Sequence, residues 1–509
     1  MVEKIGVVIA SDEGPSPSRV DFVVTRGKIH QGQFVEMEYE EGVLLALVED
    51  VQKANRYFEN AEIVKEYEIR SSLSKQLPAG EWEFLVGISR PLVVLQGNRM
   101  LRPTYPPSPG TPVFEPSAED LKRFLGLEEQ GIHIGKLQFH NVDVRLNMDE
   151  LVQKHFAILA MSGAGKSYLT SVIIEELLDR PPEVGRIGVV VFDVHGEYRS
   201  FAEPPSDPKY VDYSDRATVV PAGKIRIGVS NLSPSLLTHF LPGLTHTQIR
   251  TLRMVIHDLR REMEQGRGPY TIEDIMNRVE TDPRIGNPRT REALIAWLQD
   301  LRATNLFADV DSPSLYSLVR PGRLVIFDLS EILDMRRKQL IVAYLAHRLF
   351  SLRREGRIPP TLVVVEEAHQ FVPEGVSEAE ALARPIIETI AREGRKFGLG
   401  LCLISQRPVR LSTTALSQCN THIILRVTNP YDLDHIKKSS EGIDERSARM
   451  ITVLRTGEAL IVGAAVHFPV FVRVRERRSQ PSKLAKTITE MAKEFEEQEK
   501  QIQSDLDAL

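Results

Sequence analysis

Lys166 and Ser167 close the octet Ala160-Met161-Ser162-Gly163-Ala164-Gly165-Lys166-Ser167, which follows the apolar run 155–159 and leads, from Tyr168, into a helix-like stretch. A chain of phosphates needs exposed backbone N–H groups and fixed positive charge, and a loop opening onto a helix N-terminus supplies both. Ser162, Gly163, Ala164 and Gly165 offer the N–H groups, Lys166 a movable cation and Ser167 a hydroxyl for magnesium, with Tyr168 beside them. The pattern is a P-loop, and it implies ATP and Mg2+ as ligands. It departs from the usual spacing only at Ala160, which replaces glycine at a strand end where a methyl group fits.

A second acidic element is required, and Leu362-Val363-Val364-Val365-Glu366-Glu367-Ala368-His369 provides it. Four apolar residues predict a buried parallel strand whose carboxylates emerge at its C-terminal end, where open α/β sheets place their ligands. Glu366 is expected to contact the magnesium ion through water. Glu367 is expected to orient and polarise the attacking water. Taken alone, such a pair more often caps a helix; following a P-loop, it points to hydrolysis.

Further along, 386–398 predicts a helix that ends on Gly398 and carries Arg392, Arg395 and Lys396. The last two suit the negative end of the helix dipole. Arg392 suits a larger role, that of a cation reaching from an adjacent subunit to the transferred phosphoryl group. Gln406 ends the next strand, either as a reporter of the γ-phosphate or as part of a turn stopped by Pro408. Asp193 and Glu197, in Asp193-Val-His195-Gly196-Glu197-Tyr198, are expected to assist the metal or the coupling to DNA, or, for Asp193, merely to cap a turn.

These residues need a scaffold that brings strand ends together. Short runs rich in Val, Ile and Phe with turn residues between them predict a small antiparallel barrel over 1–113, and the prolines from Pro103 to Pro112 an extended linker at its end. Beyond it, strands alternate with helices, with strands expected at 155–160, 187–192, 324–329, 361–365, 400–405 and 422–426. The expected class is α/β, a RecA-like P-loop ATPase core in two parts, 114–231 and 311–478. Between them, 232–310 shows helical spacing alone (Leu252, Val255, Ile256, Leu259) and reads as an inserted helical bundle. In 479–509 the apolar positions Leu484, Ile488, Met491, Phe495, Ile502, Leu506 and Leu509 form a narrow seam. This predicts an amphipathic brace helix on a neighbouring copy, or else a solvated terminal helix.

With 509 residues the chain exceeds a single core. Its formal charge of −6 does not advertise a nucleic-acid binder, although a cleft or pore can be basic while the outside is acidic. Two cysteines, Cys402 and Cys419, without metal-ligand spacing, speak against a disulfide framework and a zinc site. No run approaches the roughly 18 to 20 apolar residues of a membrane span. A cytoplasmic protein is expected.

The barrel, the P-loop, Asp-x-His-Gly-Glu-Tyr, Glu-Glu-Ala-His, Ala-Arg-Glu-Gly-Arg-Lys-Phe-Gly (391–398), Ser-Gln-Arg-Pro (405–408) and the late Gly457-Glu-Ala-Leu-Ile-Val-Gly closely resemble the HerA family of archaeal DNA translocases, related to FtsK motors. The resemblance covers essentially the whole chain, in order and spacing. It implies a homo-hexameric ring, a barrel of the HAS type, ATP-driven movement on double-stranded DNA, and work with the NurA nuclease at DNA ends in double-strand break repair by homologous recombination. On this match Lys166, Ser167, Glu366, Glu367, Arg392 and Gln406 inherit the roles argued above, and Lys154 falls where the family has a basic residue at the subunit boundary. A ring pore would draw on loop cations, for which Arg407, Arg410, Lys437 and Lys438 are candidates. The competing readings are a P-loop motor acting on protein, of the secretion or pilus type, and a nucleotide-gated scaffold that does not translocate.

Overall fold

The computed structural model describes residues 3–10, 14–55, 64–65, 83–97, 99–440, 442–482 and 488–507. The chain divides into two compact units. One gathers Met1–Leu151, Leu159–Ala164 and Asn420–Arg475, and the other Val152–Ile158, Gly165–Cys419 and Glu476–Leu509. The boundaries expected from sequence divide the chain by element type, whereas these units divide it by packing.

In the first unit, β1 (Lys4–Val8), β2 (Val20–Val24), β3 (Phe34–Tyr39), β4 (Gly42–Asn55), β5 (Glu83–Gln96), β6 (Arg99–Leu101) and β7 (Pro112–Phe114) form a sheet ordered β2-β1-β7-β3-β4-β5-β6. An additional β2–β5 pairing closes six of them into an antiparallel barrel. Val20, Phe22, Val35, Met37, Leu44, Val48 and Val113 fill its core, and Gly87 leaves the space that the Phe22 ring occupies. The proline-rich stretch does more than link. Pro112 begins β7, which pairs with both β1 and β3, and Tyr105 stacks on Tyr39 at 4.4 Å between ring centres. β4 runs on past the apolar stretch 43–48 to Asn55, with register shifts against β5 between Leu45 and Ala46 and between Val48 and Asp50, the second of which leaves Glu49 out of the ladder.

After α1 (Ala118–Leu125), β8 (Ile132–Leu137) and β9 (Asp143–Leu146) join β18 (Thr421–Ile424), β19 (Glu458–Gly463) and β20 (Val470–Val474) in the order β18-β19-β20-β8-β9, with antiparallel neighbours throughout.

The second unit holds the α/β core. Its strands are β10 (Phe156–Leu159), β11 (Gly188–Asp193), β12 (Ala217–Pro221), β15 (Leu324–Asp328), β16 (Thr361–Val365) and β17 (Leu399–Ser405), in the order β12-β15-β11-β16-β17-β10. The β12–β15, β15–β11, β11–β16 and β16–β17 pairs are parallel. Every residue of β11, β15, β16 and β17 is buried, as expected for a sheet covered on both faces. Between them lie α2 (Lys166–Asp179), α7 (Met335–Arg354) and α8 (Arg384–Phe397). The helical block is α3 (Pro234–His239), α4 (His246–Glu262), α5 (Ile272–Thr281) and α6 (Pro288–Ala303), framed by a two-residue parallel pair, β13 (Ile227–Gly228) with β14 (Phe307–Ala308). Because β11, β15, β16 and β17 run parallel, Asp193, Asp328, Glu366 and Ser405 arrive at one edge of the sheet.

Helix α9 (Ile488–Asp507) leaves Ile488, Met491 and Phe495 exposed. Leu484 and Leu509 lie outside the described residues, as do the side chains of Ile502 and Leu506.

Candidate nucleotide site

Gly163 and Gly165 take φ values of 74° and 104°, in the left-handed region that glycine adopts without strain, and the loop turns there before Gly165 caps α2. Lys166 and Ser167 therefore stand in the first turn of α2, whose N–H groups have no intrahelical acceptor. The helix is anchored by Leu169, Val172, Ile173, Ile174, Leu177 and Leu178, all buried.

Around this turn the structure assembles the predicted carboxylates. Glu367 is 3% exposed and adopts φ 47°, ψ 45°, a left-handed conformation that a glutamate enters only when its surroundings hold it there. Its Oε1 lies 3.9 Å from Lys166 Nζ and 3.9 Å from His195 Nε2. Gln406 hydrogen-bonds to the same carboxylate. Burial raises the Glu367 pKa, and Lys166 and His195 pull against that rise. Glu367, Lys166 and Gln406, predicted from three separate motifs, thus meet at one carboxylate.

Glu366 points the other way. Its Oε2 accepts hydrogen bonds from the backbone N–H groups of Val194, at 2.7 Å, and His195, at 3.2 Å. Burial pushes its pKa well up, and the neighbouring carboxylates of Asp193 and Glu197 push it further. Asp193 caps a turn: it accepts from the N–H groups of His195, Gly196, Glu197 and Tyr198. The turn it shapes presents Glu197, whose carboxylate accepts the Ser167 hydroxyl.

Among the described residues no group of three or more His, Cys, Asp and Glu is arranged to hold a metal. The donors beside α2 do fit an ion brought in by a nucleotide. Ser167, Glu197 and Glu366 are hard oxygen donors, suited to Mg2+, and crowded buried carboxylates gain from a cation among them. Ser167 and Glu366 would hold the ion, which would supply charge neutralisation to the phosphates.

The remaining predicted residues are placed as follows. Tyr168 accepts a hydrogen bond from the Arg477 backbone N–H at 2.7 Å, with the Arg477 guanidinium 5.9 Å above its ring. Arg392 lies on α8 with its side chain 49% exposed, 3.9 Å from Glu388 one turn back, and it is not brought to Glu367 within its own chain. Lys154 sits half-buried in the turn between the π-helical residues Asp149–Gln153 and β10. Helix α8 stops at Gly398 in the left-handed conformation, as its sequence predicts. Lys437 is paired with Asp434 and Glu445.

Four contributors escaped the sequence reading. His369 touches Glu367. Gln339, 1% exposed, donates to the Gln370 carbonyl at 2.5 Å and accepts from the Ala383 N–H at 2.9 Å, joining the turn after β16 to the start of α8. Arg199 pairs with Asp328 and donates to Ser330 at 2.6 Å. Glu175, fully buried on α2, accepts from the N–H groups of Arg478 and Ser479 and from the Ser479 hydroxyl, fastening the segment 476–482 to the P-loop helix. A glutamate in an otherwise apolar helical face was the signal for this last contact.

A loop with Gly163 and Gly165 before α2, Lys166 facing a buried glutamate, and a parallel sheet delivering its strand ends to that point define a P-loop ATPase core. Residues 132–349 match the family described as Helicase HerA, central domain. The chain is 32% identical over 449 residues to the DNA double-strand break repair helicase HerA of Pyrococcus furiosus, covering 78% of each chain. It is 28% identical to the protein of the same name from Sulfolobus acidocaldarius, covering 93% of this chain and 94% of that one. Among solved structures, VirB4 of Thermoanaerobacter pseudethanolicus shares the fold with a TM-score of 0.53 at 15% identity, over 68% of this chain and 97% of that chain. The protein belongs to the HerA helicase family.

Proposed function

We propose that this protein is an ATP-driven motor on double-stranded DNA, a translocase and helicase of double-strand break repair that works as a homo-hexameric ring with the NurA nuclease in end resection. The observation that carries the enzymatic part is the convergence of Lys166 and Gln406 on the buried Glu367, an arrangement suited to hydrolysis rather than to nucleotide binding alone. The names of the relatives support DNA as the track. The hexamer and NurA rest on the motif resemblance across the chain. No helix among the described residues is long and apolar enough to cross a membrane.

The test is the ATPase rate with and without duplex DNA, joined to displacement of a third strand from a triplex. Stimulation by duplex together with displacement is expected. ATPase activity indifferent to DNA would overturn the proposal in favour of a motor acting on protein, and absence of turnover in favour of a scaffold.

The exposed apolar positions of α9 belong, on this reading, against a neighbouring subunit. Residues 476–482 stay with their own α2 through Glu175, so ending the chain after Ser482 should leave each monomer folded and weaken the ring. Sedimentation at low micromolar concentration should show smaller species at an unchanged melting temperature. An intact ring would retire the brace.

A further inference from the structure

His369 follows Glu367 by two residues in the short 3-10 turn Ala368–Gln370 and is largely buried, its side chain 9% exposed. Its Nδ1 lies 3.3 Å from Glu367 Oε2 and 3.2 Å from Ser405 Oγ. Burial, aided by Arg407, Arg410, Lys166 and His195, holds its pKa down at about 4. The ring is therefore neutral at physiological pH and carries one proton, so its contact with Glu367 is not an ion pair.

That single proton cannot serve both neighbours through Nδ1. As the ring stands, Nδ1 is hydrogen-bonded to Ser405 Oγ in either tautomer, and Glu367 Oε2, 3.3 Å away, takes no hydrogen bond from it. With the proton on Nε2, Nδ1 accepts the Ser405 hydroxyl and leaves Glu367 Oε2 without a donor. Ser405 Oγ already accepts the Arg407 N–H at 3.0 Å, which leaves its own hydroxyl proton available for Nδ1. Glu367 Oε2 is buried and has no hydrogen-bond partner, so the His369 ring beside it is the donor within reach if Nδ1 leaves Ser405. Ser405 ends the same strand from which Gln406 reaches Glu367 and from which Arg407 and Arg410 continue.

We infer that His369 is a positioning residue that ties the orientation of the Glu367 carboxylate to the end of β17, because its one Nδ1 position can engage either Glu367 or Ser405. A shift of the strand end that withdraws the Ser405 hydroxyl hands Nδ1–H to Glu367 and draws the carboxylate toward the ring, away from Lys166. A strand end in place leaves Glu367 to Lys166, Gln406 and the water it must orient. The inference rests on the reading of Glu367 as the residue that activates water; it does not need DNA as the track.

The test is a double-mutant cycle on the full-length protein, reading kcat and KM for ATP in the absence of DNA. In Ser405→Ala the Nδ1 proton has Glu367 as its one partner, so kcat should fall about tenfold, the scale of one hydrogen bond to a charged group, with KM within about twofold. In His369→Phe no ring N–H remains to draw Glu367 away from Lys166, and the kcat of that variant is the reference for the second arm of the cycle. Adding Ser405→Ala to His369→Phe should then cost nothing further. Additive losses, or a rise in KM at unchanged kcat, would overturn the inference. Binding of a fluorescent ATP analogue by each variant separates loss of positioning from loss of fold; should His369→Phe fail to bind, His369→Asn takes its place in the cycle. A wild-type protein without turnover would sink the proposed function itself, an outcome distinct from additivity in an active enzyme.

Discussion

Glu367→Gln is expected to give a protein that binds ATP and Mg2+ and does not turn it over. The amide has nearly the shape of the carboxylate, so the left-handed turn at 367 and its packing should survive. What disappears, on the proposed reading, is the acceptor that orients and polarises water, a contribution on the order of 10² to 10⁴ in rate. Lys166→Ala should behave differently. On the proposed reading the lysine is the cation that reaches the phosphates, so its removal should weaken nucleotide binding as well as abolish turnover. Equilibrium binding of a labelled ATP together with single-turnover hydrolysis distinguishes the two variants. Near-normal turnover in Glu367→Gln with ATP and magnesium saturating would show that the base lies elsewhere.

The same residue sets an expectation for pH. Burial raises the Glu367 pKa above the ordinary glutamate range, with Lys166 and His195 opposing the rise, and the group works only as a carboxylate. As pH falls, turnover should therefore begin to decline above the pH at which an exposed glutamate would protonate. In Glu367→Gln this limb should vanish from the residual rate.

The contrast between Glu367 and His369 shows what the sequence can and cannot express. Lys166, Ser167, Glu366, Glu367 and Gln406 were legible because each belongs to a contiguous pattern, and a parallel sheet delivers such patterns to one edge whatever the details of packing. The barrel was legible from short runs rich in Val, Ile and Phe between turn residues, and the helical block from apolar residues at helical spacing. The bond from Ser167 to Glu197 was not, because a hydroxyl and a carboxylate thirty residues apart carry no shared spacing. Gln339 shows the same limit: in sequence it is one polar residue on a long helix, and only packing turns it into a bridge between the turn after β16 and the helix of Arg392. The prolines before β7 misled in the opposite sense, since a segment that cannot be helical can still close a barrel with an extended strand.

Arg392 carries the second large expected effect, and its placement makes the test specific. It stands half-exposed on α8 with Glu388 as its neighbour, whereas Lys166 and Gln406 are already gathered at Glu367. A cation held out in this way suits a site completed by the next subunit in the proposed ring. Arginine fingers are worth roughly 10³ to 10⁵ in rate, and lysine does not reproduce the planar, two-pronged contact. Arg392→Lys should therefore bind ATP nearly as the wild type does and hydrolyse it very slowly. The decisive experiment mixes Arg392→Ala with Glu367→Gln under conditions of subunit exchange. Each protein alone is inactive, but a mixed ring contains interfaces where an intact Glu367 from one chain meets an intact Arg392 from its neighbour, so activity should partly return. A mixture that stays inactive while labelled subunits demonstrably exchange would place Arg392 in its own chain's chemistry or leave it a helix-end cation, unless firing requires every interface intact. Mixing wild type with each variant closes that route: if every interface must be intact, activity falls far more steeply than the fraction of wild-type subunits, whereas independently firing interfaces give a decline set by the pairwise probability of an intact Glu367–Arg392 interface.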